Sequence, residues 1–260
     1  MPNNLLNNLE KSFSFQALKQ KLKKPSFTLL IENSSSSKTA LTAAFMQKKI
    51  NKNILFITGT LKEETLFEDF VFFQKNLNGS QNKRNLPQQY SDILEFPNVD
   101  IPLESEIFKP SSDLLGKRFL SLNTLNKNIS QKQKPAIILA PLSAMLQKLP
   151  ALEKISKNFY EIKKGSHFPF DRIEKKLIDL GYTKAASVTD KGEFAVRGGI
   201  VDLFSVSSDA PYRIEFFSDT IEEIRLFDPA TQKSIEKTET IFIAPATEKV
   251  FEEEKKFSLV

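Results

Sequence analysis

The chain has 260 residues, 40% of them hydrophobic, and its 37 basic and 32 acidic side chains give a net charge of +5. It has no cysteine and one histidine, His167, which excludes a disulfide framework and a thiolate or histidine-rich metal site and argues against a Ser-His-Asp triad. The mild basic balance permits nucleic-acid contact, but scattered solvated lysines explain it more simply. This length predicts two domains.

The N-terminal stretch and the lack of long apolar runs predict a cytoplasmic protein. The N-terminal stretch MPNNLLNNLEKSF lacks the basic flank and apolar core of a signal peptide. No apolar run approaches the roughly 20 residues of a membrane span, so we expect no contact with a membrane.

Residues 1–150 predict an α/β domain with a parallel sheet. A strand at 27–31, a loop and helix in ENSSSSKTALTAAFMQKK, and a strand at 53–58 form a βαβ unit. The remaining predicted elements are helices at 61–77 and 112–125 and strands at 92–96 and 135–140.

The loop after the first predicted strand has the outline of a phosphate loop but lacks its glycines. Lys38 and Thr39 stand where G-x-x-x-x-G-K-[ST] ends, while the glycine positions hold Glu32 and Ser37. Glycine is needed there because a Cβ obstructs the approach of backbone N–H groups to phosphates. We predict a RecA-like domain with a degenerate P-loop and no cofactor. Lys38 and Thr39 are vestigial nucleotide-binding residues that begin a helix capped by one of the serines.

Residues 151–246 predict a small α+β domain. PFDRIEKKLIDL (169–180) is an amphipathic helix that stops at Gly181. Alternating apolar residues and turn residues predict an antiparallel sheet, with strands at 159–162, 184–188, 193–196, 200–204, 212–217, 221–227 and 240–243.

Three of the chain's six arginines lie between Lys191 and Ser234: Arg197, Arg213 and Arg225. Clustered arginine in a lysine-rich chain indicates a need for the planar, bidentate guanidinium. Gly198-Gly199 most simply serves backbone geometry and would turn Arg197 outward. Since Glu222 and Glu223 lie close to Arg225 in sequence, a simple surface strand accounts for that arginine.

Strand alternation places Arg213, Glu215 and Phe217 on one face. This mixture of charge and an aromatic ring is typical of a protein-binding patch. A solvated face with cross-strand charge pairing is an equally good explanation for Arg213 and Glu215. Phe204, in the neighbouring strand, is either part of such a patch or part of the core.

Three segments carry a family resemblance: GYTKAASVTDKGEFAVRGGIVDLF, PYRIEFFSDTIEEIRLFDPATQKSIE and IFIAPATE. Over residues 181–248 the chain resembles the UvrB-homology module at the N-terminus of the bacterial transcription-repair coupling factor, Mfd. The resemblance implies a UvrB domain-2-like fold that binds the excision-repair protein UvrA. Arg197 aligns with an interface arginine of the family, and Lys184 with a position usually occupied by arginine. Phe204, Arg213 and Glu215 are weaker candidates for UvrA contacts.

The resemblance also implies a role for the segment and for its parent. The segment would be non-catalytic, with no catalytic or metal site, and would recruit UvrA to lesions where RNA polymerase has stalled. The parent would be an ATP-dependent DNA translocase that uses ATP and Mg and contacts DNA and RNA polymerase through parts beyond Val260. Residues 247–260 would begin the returning first-domain segment, and the parent's C-terminal domain would mask the UvrA-binding face.

The sequence leaves two alternative functions open. One is a UvrB-type ATP-dependent excision-repair protein with an unorthodox phosphate loop, which nucleotide binding would reveal. The other is a non-specific nucleic-acid-binding module, indicated by charge alone, which steeply salt-dependent DNA binding would reveal.

Overall fold

The computed structural model describes residues 8–24, 34–59, 63–78, 93–99, 110–131, 135–149 and 151–251, together with residues 26, 28, 30 and 32. The chain divides into two compact units. Unit 1 comprises residues 1–86, 90–98 and 127–147, and unit 2 comprises residues 87–89, 99–126 and 148–260. The predicted domain boundaries stay a prediction, although the contacts group residues 99–126 with the second unit.

The first part of the chain alternates helices and strands. Its elements are α1 (Phe13–Lys21), α2 (Ser36–Ile50), β1 (Ile54–Thr58), α3 (Glu63–Asn78), β2 (Ile93–Glu95), α4 (Ser112–Gln131), β3 (Ile137–Pro141) and α5 (Leu142–Met145). The three strands form a sheet in the order β1-β3-β2, and both pairings are parallel. The prediction of an α/β domain with a parallel sheet is therefore confirmed. The RecA-like character of the domain stays a prediction.

The core of unit 1 lies between this sheet and helices α2 and α3. Ile137 and Leu139, two residues apart on β3, both face it because side chains alternate along a strand. Ala40 and Ala43 of α2 are buried beside Phe70 of α3, and small alanine side chains allow the two helices to approach closely. The strand predicted at 27–31 lies largely outside the described residues, so the βαβ unit that it would begin is not seen as a whole.

The second part of the chain is rich in short strands. Its elements are α6 (Leu152–Lys157), β4 (Tyr160–Lys163), α7 (Phe170–Asp179), β5 (Thr183–Lys184), β6 (Glu193–Arg197), β7 (Ile200–Leu203), β8 (Tyr212–Phe217), β9 (Thr220–Phe227), β10 (Ser234–Lys237), β11 (Thr240–Ile243) and a 3₁₀ helix (Glu248–Phe251). A six-stranded sheet has the order β10-β9-β8-β7-β6-β5, and β11 pairs separately with β4. Every pairing is antiparallel except β5 with β6.

Helix α7 covers one face of the six-stranded sheet. It begins after Pro169, and the chain leaves it through Gly181, whose φ of +87° favours glycine. Ile173 and Leu177 are buried on one side of the helix, and the Phe170 ring packs edge-on against Phe216 of β8 at 5.1 Å. The predicted helix at 169–180 is therefore confirmed to within one residue at each end.

Two predicted elements differ from the structure, and one strand was not predicted. The strand predicted at 184–188 is only Thr183–Lys184, and it runs parallel to its neighbour rather than antiparallel. Strand β10 was not predicted, because its four residues are all exposed and so carry no apolar alternation. Helix α4 extends to Gln131 rather than to residue 125, through a largely polar end, NKNISQ, in which Ile129 is the one apolar residue.

Candidate protein-interaction surface

The face of the six-stranded sheet opposite α7, called here the outer face, carries most of the predicted site residues. The register runs straight across four strands, pairing Arg197 with Ile200, Ile200 with Glu215, and Glu215 with Glu223. One row further along, Asp202 pairs with Arg213 and Arg213 with Arg225. Because paired residues project to the same side of a sheet, Arg197, Arg213 and Glu215 share this face.

The turn after β6 requires both of its glycines. Gly198 has a φ of +57°, in the left-handed region. A Cβ on Gly199 would lie 2.9 Å from the backbone oxygen of Phe216, and the Gly199 oxygen accepts the Phe216 N–H at 2.8 Å. The prediction that this glycine pair serves backbone geometry is therefore confirmed, and it leaves Arg197 as the last side chain before a tight turn.

Arg197 is exposed, and no acidic group of the described residues compensates its charge. Its Nη2 donates a hydrogen bond to the backbone oxygen of Ala186. Among the residues that the structure describes, no carboxylate lies within ion-pair distance of this guanidinium. A neutral carbonyl thus orients the side chain without neutralising it, which leaves its charge available to an external acidic group.

Arg213, in contrast, is held by its own unit. Its Nε and Nη2 donate to the two carboxylate oxygens of Asp202 at 2.7 and 2.8 Å, and Asp202 is only 4% exposed. The guanidinium also lies 4.7 Å from the ring centroid of Phe227. The hydrogen bonds that Arg213 donates to Asp202 raise the pKa of Arg213. This bidentate pair gives Arg213 a structural role in the sheet.

Glu215 belongs to a set of alternating charges that we call the charge ladder, formed by Glu215, Arg225, Glu223 and Lys237. Arg225 pairs with Glu215 and also with Glu223, at 2.9 Å from its Nε to Oε1, and Lys237 pairs with Glu223. These contacts run across strands β8, β9 and β10. The explanation by cross-strand charge pairing is thus confirmed for Glu215, whose charge is already compensated.

Two further candidates do not lie on the exposed part of the outer face. Phe204 is only 7% exposed and packs with Val188, Ala195 and Phe227, so the structure favours its assignment to the core. Lys184 pairs in register with Phe194, on the side of the sheet that α7 covers. Its Nζ lies 2.8 Å from both carboxylate oxygens of Glu174 on that helix.

In the loop that was predicted to be a vestigial phosphate loop, side chains bond to one another and to the start of α2. Ser35 caps α2 and accepts the backbone N–H of Lys38 at 3.3 Å, which confirms the prediction of a serine cap. The Thr39 hydroxyl lies 2.7 Å from that of Ser34, and Ser37 donates to Asp69 at 3.0 Å. Backbone and hydroxyl groups that a phosphate would need are therefore already engaged.

A cavity of about 390 Å³ adjoins this loop in unit 1. Helix α1 contributes Phe15 and Leu18 to its lining, while Lys38 and Glu32 bring opposite charges. The Glu32 carboxylate would repel an anionic phosphate there, whereas Lys38 and Lys21, which also lines the cavity, would attract one.

The described part of the chain contains neither a metal-ligand cluster nor a membrane-spanning helix. Within it, no group of three or more histidine, cysteine, aspartate or glutamate side chains is arranged to hold a metal ion. No helix among the same residues has both the length and the apolar character needed to cross a bilayer.

Part of the second unit is similar to a known protein family. Residues 160–248 match the UvrB interaction domain. Three curated proteins similar to this chain are transcription-repair-coupling factors. That of Bacillus subtilis is 30% identical over 88% of the chain, that of Haemophilus influenzae 34% over 60%, and that of Borreliella burgdorferi 42% over 39%.

These relatives are much longer proteins. The chain covers 18% of the Bacillus subtilis protein, 13% of the Haemophilus influenzae protein and 9% of the Borreliella burgdorferi protein. The resemblance of residues 181–248 to the UvrB-homology module is confirmed by these matches.

Proposed function

We propose that this chain is a non-catalytic segment that recruits UvrA during transcription-coupled DNA repair. Its residues 160–248 match the UvrB interaction domain, and the chain is related to the transcription-repair coupling factors. Unit 2 supplies the binding surface, and Arg197 is its principal contact. The observation that carries this proposal is the uncompensated guanidinium of Arg197 beside a glycine turn.

Arg197 has the properties of an interface hot spot. Arginine is enriched among the few residues that supply most of the binding energy of an interface. The Ala186 carbonyl and the glycine turn fix the side chain before a partner arrives, which lowers the entropy lost on binding. Arg213 is not available to a partner in this way, because its guanidinium already donates two hydrogen bonds to the Asp202 carboxylate. The UvrA surface facing Arg197 should therefore offer a carboxylate.

The wider properties of the parent protein form part of the same proposal. The name of the relatives couples transcription to repair, which supports a parent that acts on stalled RNA polymerase. The family resemblance supports an ATP-dependent translocase that binds DNA elsewhere in the parent and a C-terminal domain that masks the UvrA surface. In this arrangement the present chain supplies a docking surface and the parent's motor supplies the movement.

Calorimetric titration of the chain with purified UvrA tests the proposal. We expect wild-type binding, and we expect Arg197→Ala to weaken it by roughly 1–4 kcal/mol, the range of interface hot spots. Arg172→Ala is the matched control, because Arg172 is also exposed but lies on α7, away from the outer face.

Two results would contradict the proposal. Absence of wild-type binding would remove the recruitment function. Equal affinities of wild type and a folded Arg197→Ala protein would remove the site while leaving the function in place.

A further inference from the structure

Phe217 is a large aromatic side chain left in solvent, 72% exposed. Side chains alternate along β8, so Phe216 packs against Phe170 of α7 while Phe217 points to the outer face, like Glu215 two residues before it. The bulge in the β8–β9 pairing lies on β9, because Glu215 pairs with Glu223 and Phe216 with Ile221, so the alternation of β8 is intact.

The hairpin that carries Phe217 is anchored at its tip. Ser218, the next residue, has a φ of +54°. Asp219 accepts the N–H of Phe170 through Oδ1 at 2.9 Å and the N–H of Phe168 through its backbone oxygen at 2.8 Å. The tip is thereby tied to the start of α7, and the exposed ring stands on a fixed support.

Phe217 lies near the turn of Arg197. The hydrogen bond from Phe216 N–H to the Gly199 oxygen, 2.8 Å long, places the end of β8 directly beside the β6–β7 turn. By the register, Arg197 is level with Glu215, two strand spacings away, and Phe217 lies two residues beyond Glu215, so the two backbone positions are roughly 12 Å apart. The two side chains, with Ile200 between their strands, form what we call the turn end of the outer face.

We propose that Phe217 is an aromatic anchor for the same protein partner, in an inference that rests on the proposed function. The neighbouring Glu215 is already paired with Arg225, so this carboxylate adds no uncompensated charge beside the ring. The ring offers apolar surface at small entropic cost, as anchor residues do. The matching surface of UvrA presents an apolar pocket roughly 12 Å from the carboxylate that meets Arg197.

Titration of UvrA with Phe217 variants tests this inference. Phe217→Ala should weaken binding by about tenfold or more without changing the melting temperature. Phe217→Leu, which keeps apolar volume, should recover part of the loss. Ile235→Ala is the matched control: Ile235 is 61% exposed on β10 of the same sheet, and this variant should keep affinity within about twofold.

The outcomes separate this inference from the function on which it rests. Undiminished binding by folded Phe217→Ala overturns the anchor and leaves the recruitment function intact. An equal loss from Ile235→Ala overturns the assignment to Phe217, because any exposed apolar side chain would then serve. Failure of the wild-type chain to bind UvrA overturns both.

Discussion

The turn end of the outer face and the centre of the same face are built from similar residues and use them in opposite ways. At the centre, Arg213 is locked to the buried carboxylate of Asp202, and the charge ladder beside it is internally paired. At the turn end, Arg197 bonds only a backbone carbonyl within the described part of the chain, and Phe217 lies in solvent. Residues of one face thus divide into those that pair within the sheet and those that, by our proposal, contact UvrA.

This difference shows that the register between strands, and not the residue type alone, decides whether an arginine of this face has a structural role. The pairing of Asp202 opposite Arg213 gives that arginine a partner. Arg197 stands opposite Ile200, so the register gives it no charged partner on the neighbouring strand. The comparison predicts that substitutions at the centre change stability and that substitutions at the turn end change binding.

The largest expected effect is on stability, from Asp202→Ala. Removal of this buried carboxylate leaves the partly buried guanidinium of Arg213 without its bidentate partner, which should lower the free energy of unfolding by about 3 kcal/mol. Urea denaturation measures the loss. Glu222→Ala, at an exposed position of β9, is the control and should stay within about 0.5 kcal/mol. Equal stabilities of the two variants would show that the centre is not structural.

A smaller effect is expected from Lys184→Ala. Its pair with Glu174 is exposed, and such pairs contribute roughly 0.2–1 kcal/mol to stability. Since Lys184 lies on the α7 side of the sheet, we expect its loss to weaken UvrA binding far less than the loss of Arg197. The same calorimetric titration compares the two variants, and a Lys184→Ala defect as large as that of Arg197→Ala would extend the surface around the sheet edge.

The smallest expected effect is that of nucleotide. Because Ser35 caps α2 and no glycine lies in the loop, Mg-ATP should leave the melting temperature of the chain unchanged. A thermal-shift titration measures this. A clear upward shift that Lys38→Ala abolishes would restore the phosphate loop as a working site.

Much of unit 2 could be predicted from the sequence because its signals are local. Pro169 and Gly181 bracket α7, and alternation defines strand β8 to the residue. The partners of the arginines could not be predicted in this way. They depend on register between strands, which brings Asp202 to Arg213, and on the packing of Phe204 against Val188. The prominence of Phe217 depends likewise on how the hairpin tip is anchored to α7.

Hydrogen–deuterium exchange of the chain, alone and with UvrA, tests the central claim most directly. The account predicts slower exchange on binding for amides in residues 197–200 and 216–220, and unchanged exchange in residues 34–39 of the vestigial phosphate loop. Protection confined to unit 1, or to α7 on the covered face of the sheet, would contradict the assignment of the turn end as the docking surface.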